Sequence, residues 1–294
     1  MVRNSLKVSS LLRGPITVEN LEKKRKAYAN LSRRFRVPKG TTITAAKEKN
    51  FTAEWIRVPD SRVDVVMLYI HGGGFIFDST KLHRELIARI AKAAKLHALS
   101  LDYSLAPEHP YPAAINEALA AYRWLLNKYP PHKIVLAGDS AGGSVVLSLL
   151  HVIRNEKLPN PACAVTLSPA TDAYNVEAAI LENGKKDFFV RPNNLNFFID
   201  AYFQQTPRNH PIASPFFGSL QGFPPLLIHA DRDELFNIGI RRFVEKAREE
   251  KVDVSFYEGA GLWHVWHLFA RSVPEAREAI GQIGEFVQRH TTGL

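Results

Sequence analysis

Between the apolar run KIVLA and the helix-like run SVVLSLLHVIRN stands Gly138-Asp139-Ser140-Ala141-Gly142. In that setting a G-x-S-x-G string reads as a strand-to-helix elbow. Small flanking residues let the backbone turn sharply enough to present the serine hydroxyl, at the cost of local strain. The plainer alternative is a helix N-cap serine whose glycines serve packing alone. A serine at its ordinary pKa is a poor nucleophile, so the elbow reading demands a neighbouring base and a third group to orient it.

Eleven histidines compete for the part of base. In open parallel sheets, sites form beyond the carboxyl ends of strands. That favours His264, just past VDVSFY and its glycine-containing loop, over His267, which is expected in the helix that follows. The pair lacks the carboxylate and spacing of a metal-binding helix, so no metal is expected. For the orienting acid, LLIHADRDELF offers Asp231, Asp233 and Glu234. Spacing does not choose between Asp231 and Asp233, and one of them reads equally well as a surface cap of the next helix. The glycines of LYIHGGGFIFD answer a different need. Acyl transfer builds an oxyanion that backbone N–H groups stabilise, and side chains on that loop would block its approach. Ala141 N–H, just after the nucleophile, is the expected companion donor.

These residues hang on an alternation of elements. From residue 64 onward, short apolar runs alternate with helical ones, and the strands are apolar enough to be covered on both faces. The pattern predicts a mostly parallel sheet flanked by helices, an α/β fold. Two strands with interleaved polar residues precede it, joined near Lys49 and Asn50 like an antiparallel edge. Between residues 171 and 223 the alternation breaks around an aromatic-rich helix, NNLNFFIDAYFQQ, which reads as an insertion. One cysteine, Cys163, excludes an intramolecular disulfide and suits a reducing compartment. No apolar stretch has the length of a signal peptide or a membrane span, so the expectation is a cytoplasmic protein without stable membrane insertion.

The net charge of +9 is local: residues 1–60 hold 14 Lys/Arg against 5 Asp/Glu, and the remainder balances. Within that region Leu21, Tyr28, Leu31 and Phe35 recur at helical spacing, which predicts an amphipathic helix with a solvated basic face lying on the body. No nucleic-acid motif accompanies it, so nucleic acid is not expected as a partner.

Taken together, HGGGF, DYSLAPEHPYPAA, GDSAGGS, LSPATD, DELF and HVWHLF resemble the signatures of the hormone-sensitive-lipase-like (bacterial family IV) carboxylesterases of the α/β-hydrolase fold. The resemblance runs in order from about residue 51 to 285. It implies Ser140 as nucleophile, His264 as base and Asp233 as acid, with Gly73, Gly74 and Ala141 as oxyanion donors. It also implies a cap over the site, here residues 1–45 and 172–222, on a catalytic domain of residues 46–171 and 223–294. Ala170 stands where the family often carries a bulky aromatic. Glu108 and His109 read as structural, stiffening their loop through charge-assisted hydrogen bonds. The implied activity is hydrolysis of short- to medium-chain carboxylic esters through an acyl-enzyme, with no cofactor, a small-molecule ester as partner and a possible homodimer. Amide or lactone hydrolysis by the same triad is the nearest alternative, and a non-catalytic receptor of this fold would be expected to lack part of the triad. Phe188, Phe189, Phe197, Phe198, Tyr202, Phe203, Phe216 and Phe217 are candidates for an aromatic roof, joined by Tyr28, Leu31 and Phe35 from the N-terminal helix.

Overall fold

The computed structural model describes residues 14–77, 80–187, 189–190 and 192–292. Phe188, one of the candidate roof aromatics, lies outside them, as do the first thirteen residues of the expected cap. In chain order the elements are α1 Val18–Asn30, β1 Thr42–Glu48, β2 Phe51–Arg57, β3 Arg62–Ile70, α2 Thr80–Ala94, β4 Leu96–Leu101, α3 Ala113–Leu126 and β5 Ile134–Asp139. They continue with α4 Ser140–Asn155, β6 Cys163–Leu167, α5 Val176–Asn183, α6 Pro192–Phe203, β7 Leu226–Asp231, α7 Asn237–Glu249, β8 Val254–Gly259 and α8 Pro274–Thr291.

The eight strands form one sheet in the order β1-β2-β4-β3-β5-β6-β7-β8. The hairpin β1–β2 adds antiparallel to β4, and the pairings from β4 through β8 are parallel. Central strands covered on both faces must be apolar along their length. In β3 every residue from Val65 to Ile70 is buried, and all six residues of β5 are buried. The parallel arrangement sends every carboxyl end of β3, β5, β6, β7 and β8 to the same edge, where the glycine loop, Ser140, Ser168, the 231–235 turn and the His264 loop meet.

Residues 42–45, grouped with the cap on sequence, belong to β1, where Thr42 pairs with Arg57 and Ala45 with Glu54. The N-terminal segment that precedes the sheet therefore ends before Thr42. In it, Leu21 and Tyr28 of α1 and Leu31 of the following 3-10 turn are buried, and Phe35 meets Phe269 edge-on at 6.0 Å. The insertion carries two helices. The aromatic one is α6; the other, α5, has eight residues, too few to show a clear period in sequence, and packs against α7.

Candidate active site

Ser140 is the first residue of α4 and has φ 51°, in the left-handed region that an L-residue enters only under constraint. The two motif glycines explain how the chain turns there. A Cβ on Gly138 would lie 2.7 Å from Ile70 O and from the Gly142 backbone, and a Cβ on Gly142 would strike the carbonyls of Ile70 and His71. Helix α4 thus begins tight against β3, and the serine is thrust out at the strand ends.

His264 follows β8, and its Nε2 lies 2.8 Å from Ser140 Oγ. The loop that carries it is constrained: Val265, a β-branched residue, sits at φ 50°. Such conformations persist only where surrounding contacts over-determine them. Here Val265 N donates to Ser168 Oγ at 3.1 Å, and Ser168 Oγ donates to Glu234 Oε2 at 2.7 Å. Ser168 therefore ties the histidine loop to the turn after β7.

That turn decides which carboxylate meets the histidine. Asp233, the expected acid, forms no ion pair with His264 in the structure; its described contact is backbone N–H donation to Asp231 Oδ1 at 3.0 Å. Glu234 N closes the turn onto Asp231 O at 3.2 Å, which folds Glu234 inward, fully buried, with Oε2 3.9 Å from His264 Nδ1. Asp231 accepts instead from Leu262 N at 3.0 Å and holds the base of the histidine loop. The 3.9 Å separation is longer than a hydrogen bond, and among the described residues His264 Nδ1 has no hydrogen-bond partner.

Burial acts on both partners. It pushes Glu234 well above the usual carboxylate range and pulls His264 below the usual histidine value, the latter opposed by the negative charges of Asp187 and Asp139. Because Glu234 Oε2 already accepts from Ser168 and from Asp231 N, an Nδ1–H imidazole is the tautomer that suits it, leaving Nε2 to accept from Ser140.

The glycine loop lines the same cavity as Ser140. Gly73 and Gly74 have φ 116° and 63°, and the N–H groups of both find no protein acceptor among the described residues. Gly72 N instead donates to Asp139 Oδ1 at 3.1 Å, and Tyr69 and His83 hold the same buried carboxylate at 2.9 Å each. The loop is thereby pinned to the residue just before Ser140. A Cβ on Gly74 would press on the Phe198 ring at 3.1 Å, so glycine also lets α6 approach the loop closely.

Above Ser140 lies a cavity that gives water-sized molecules about 120 Å³. Of the candidate roof residues, Tyr28, Phe189, Phe198 and Phe203 line it, whereas Tyr202 stacks on Phe75 at 3.6 Å and Phe216 and Phe217 pack on each other outside it. Ala170, Ala173, Val176 and Ala213 make a wall of small side chains. The 172–222 insertion is stitched to the turn after β7. Asp187 Oδ2 accepts from Leu235 N at 2.9 Å, and Asn183 Nδ2 donates to Glu234 O at 2.9 Å. Sequence reasoning missed Ser168, Asn183 and Asp187 as supports; only LSPATD, which contains Ser168, carried a signal. Among the described residues no cluster of side chains is suited to a metal ion, and no helix is long and apolar enough to cross a membrane.

A strained serine at a strand-to-helix turn, a histidine hydrogen-bonded to it and a glycine loop beside them, at one edge of a mostly parallel sheet, are the arrangement of an α/β hydrolase, and the relatives of the chain agree. The family model for the alpha/beta hydrolase fold matches residues 67–268, and the chain belongs to that family. An acetyl-hydrolase of Streptomyces hygroscopicus is 35% identical over 271 residues, covering 92% of this chain and 88% of the relative. The crystal structure of an esterase from the bacterial hormone-sensitive lipase family superposes with a TM-score of 0.92 at 34% identity, covering 97% of this chain and 95% of that one. A structure of EstE5 soaked with p-nitrophenyl butyrate gives 0.90 at 34% identity and 98% of each chain. Within the fold family the chain is a hormone-sensitive-lipase-like carboxylesterase, a hydrolase of carboxylic esters.

Proposed function

We propose that Ser140 attacks the ester carbonyl while His264 Nε2 takes its proton, and that the alcohol leaves as His264 returns that proton. Water, deprotonated by the same imidazole, then releases the acid. The orienting carboxylate in this reading is Glu234 rather than Asp233, and its 3.9 Å gap to Nδ1 closes when substrate fills the site. Catalytic hydrogen bonds are commonly long before substrate arrives. The N–H groups of Gly73, Gly74 and Ala141 receive the oxyanion. The observation that carries this reading is the 2.8 Å contact between Ser140 Oγ and His264 Nε2 on the floor of an apolar cavity.

The substrates we infer are small esters with short acyl chains. A roofed pocket rewards each buried methylene with up to about 0.8 kcal/mol until it is full. kcat/KM should therefore rise from acetyl to about butyryl or hexanoyl p-nitrophenyl esters and decline well before palmitoyl. A panel of these esters, run beside a matched amide and lactone, tests the class. Labelling by a fluorophosphonate tests the nucleophile; normal turnover in Ser140→Ala, or labelling at another serine, would sink the mechanism. A homodimer pairing through the free edge of β8 is the assembly we favour, to be checked by light scattering.

A further inference from the structure

Arg25 leaves α1 and reaches into the body rather than into solvent. Its Nε donates to Ile76 O at 2.7 Å, and Nη2 donates to Ala106 O at 2.8 Å. Nη1 and Nη2 also meet the two carboxylate oxygens of Glu108 at 2.6 and 2.8 Å. The guanidinium side chain is only 17% exposed, although it belongs to the most basic stretch of the sequence. A surface ion pair with Glu108 alone would contribute little. The two main-chain carbonyls are the informative partners, because gripping them fixes backbone position.

The backbone so gripped is the oxyanion loop. Gly73, Gly74 and Phe75 take positive φ in succession, and Phe75, at 64°, has no glycine's freedom to do so. A strained run of this kind holds its shape only if its flanks are fixed. One flank is the pinning of Gly72 N to Asp139. The other is Ile76, whose N–H donates to Gly73 O at 3.2 Å and whose carbonyl Arg25 holds. Ala106, the second carbonyl held, donates its own N–H to Phe75 O at 2.9 Å, so Arg25 braces the strained residue from both sides.

We propose that Arg25 is a positioning residue for catalysis: the N-terminal helix, through this one side chain, sets the placement of the Gly73 and Gly74 N–H groups at the reacting carbonyl. The proposal rests on those groups serving as the oxyanion donors. Such donors act on charge that develops in the transition state, so their displacement lowers kcat with little change in KM. Burying the helix elsewhere would not have this signature.

The test compares wild type with Arg25→Met, which keeps the stem but none of the donors, and Arg25→Lys, which keeps the charge but not the fork. Active sites are counted with a fluorophosphonate, and kcat and KM for p-nitrophenyl butyrate are measured well below each variant's melting temperature. Arg25→Met is expected to lose about tenfold or more in kcat per active site, with KM changed less than about twofold, and Arg25→Lys to recover only part of it. Affinity for a trifluoromethyl ketone, which forms an oxyanion on Ser140, should fall by the same factor as kcat/KM. Unchanged kcat per active site in Arg25→Met overturns the proposal even if the melting temperature drops, since that outcome means anchoring alone. If Arg25→Met does not fold, unchanged kcat in Arg25→Lys overturns it. Turnover surviving in Ser140→Ala is a separate result, which would remove the acyl-enzyme reading beneath the proposal.

Discussion

The Oε2 atom of Glu234 stands 3.9 Å from Nδ1 of His264, while Asp233, one residue earlier, makes no described ion pair with that histidine. Glu234→Gln should therefore cost orders of magnitude in kcat, as loss of a triad carboxylate does elsewhere, by about 10⁴. Asp233→Asn should change kcat by no more than a few-fold. Steady-state kinetics of the two variants decide the matter, and the opposite order would return the acid role to Asp233.

The pH dependence should follow the base. Burial lowers the His264 pKa below its usual 6.5, and neutral imidazole is the active form, so the acidic limb of kcat/KM should lie below that value. Asp187 is the largest influence pulling the other way. In Asp187→Asn the limb should move further toward acid, with the plateau near pH 8 retained. A limb that stays in place or moves toward neutrality would show that Asp187 does not act on the base.

Stability should fall on acidification for a different reason. His229 Nδ1 and His267 Nε2 lie 3.1 Å apart, fully buried, and burial pushes His229 down to about 3 and His151 down to about 4. Each is depressed relative to 6.5 in the unfolded chain, so the unfolded state takes up the protons first. The stability these groups contribute is complete above 6.5 and is lost as pH falls toward 4 and 3, at up to about 1.4 kcal/mol per pH unit for each histidine. Urea unfolding between pH 7 and pH 4.5 checks the slope, and His151→Gln should flatten it.

Acyl-chain selectivity should depend on the small wall of the cavity. Ala170 lines it beside Ala173 and Ala213. Ala170→Phe should fill that side and cut kcat/KM for hexanoyl esters by about tenfold or more while sparing acetyl esters, since each excluded methylene forfeits its burial energy. Equal losses on both chain lengths would place the acyl chain elsewhere.

Local sequence pointed to the elements and to Ser140 and His264, the two side chains the fold brings within hydrogen-bond distance. The elbow at Ser140 follows from small residues between an apolar strand and a helix, and the position of His264 follows from the rule that parallel strands deliver their loops to one edge. Both are consequences of short-range geometry, which a string of residues carries. The acid could not be read in that way. Asp231, Asp233 and Glu234 are close in sequence, and which one faces the histidine depends on the turn that brings Glu234 N onto Asp231 O and on Ser168, 66 residues away, which holds the carboxylate. The brace at Arg25 joins residues 51 and 83 positions apart, and in the sequence it is one cation of a basic run. Side-chain direction past the end of a strand, and the choice of one arginine among many, are fixed only when distant segments pack, because the energy that selects them comes from burial and from hydrogen bonds that exist in the folded chain alone.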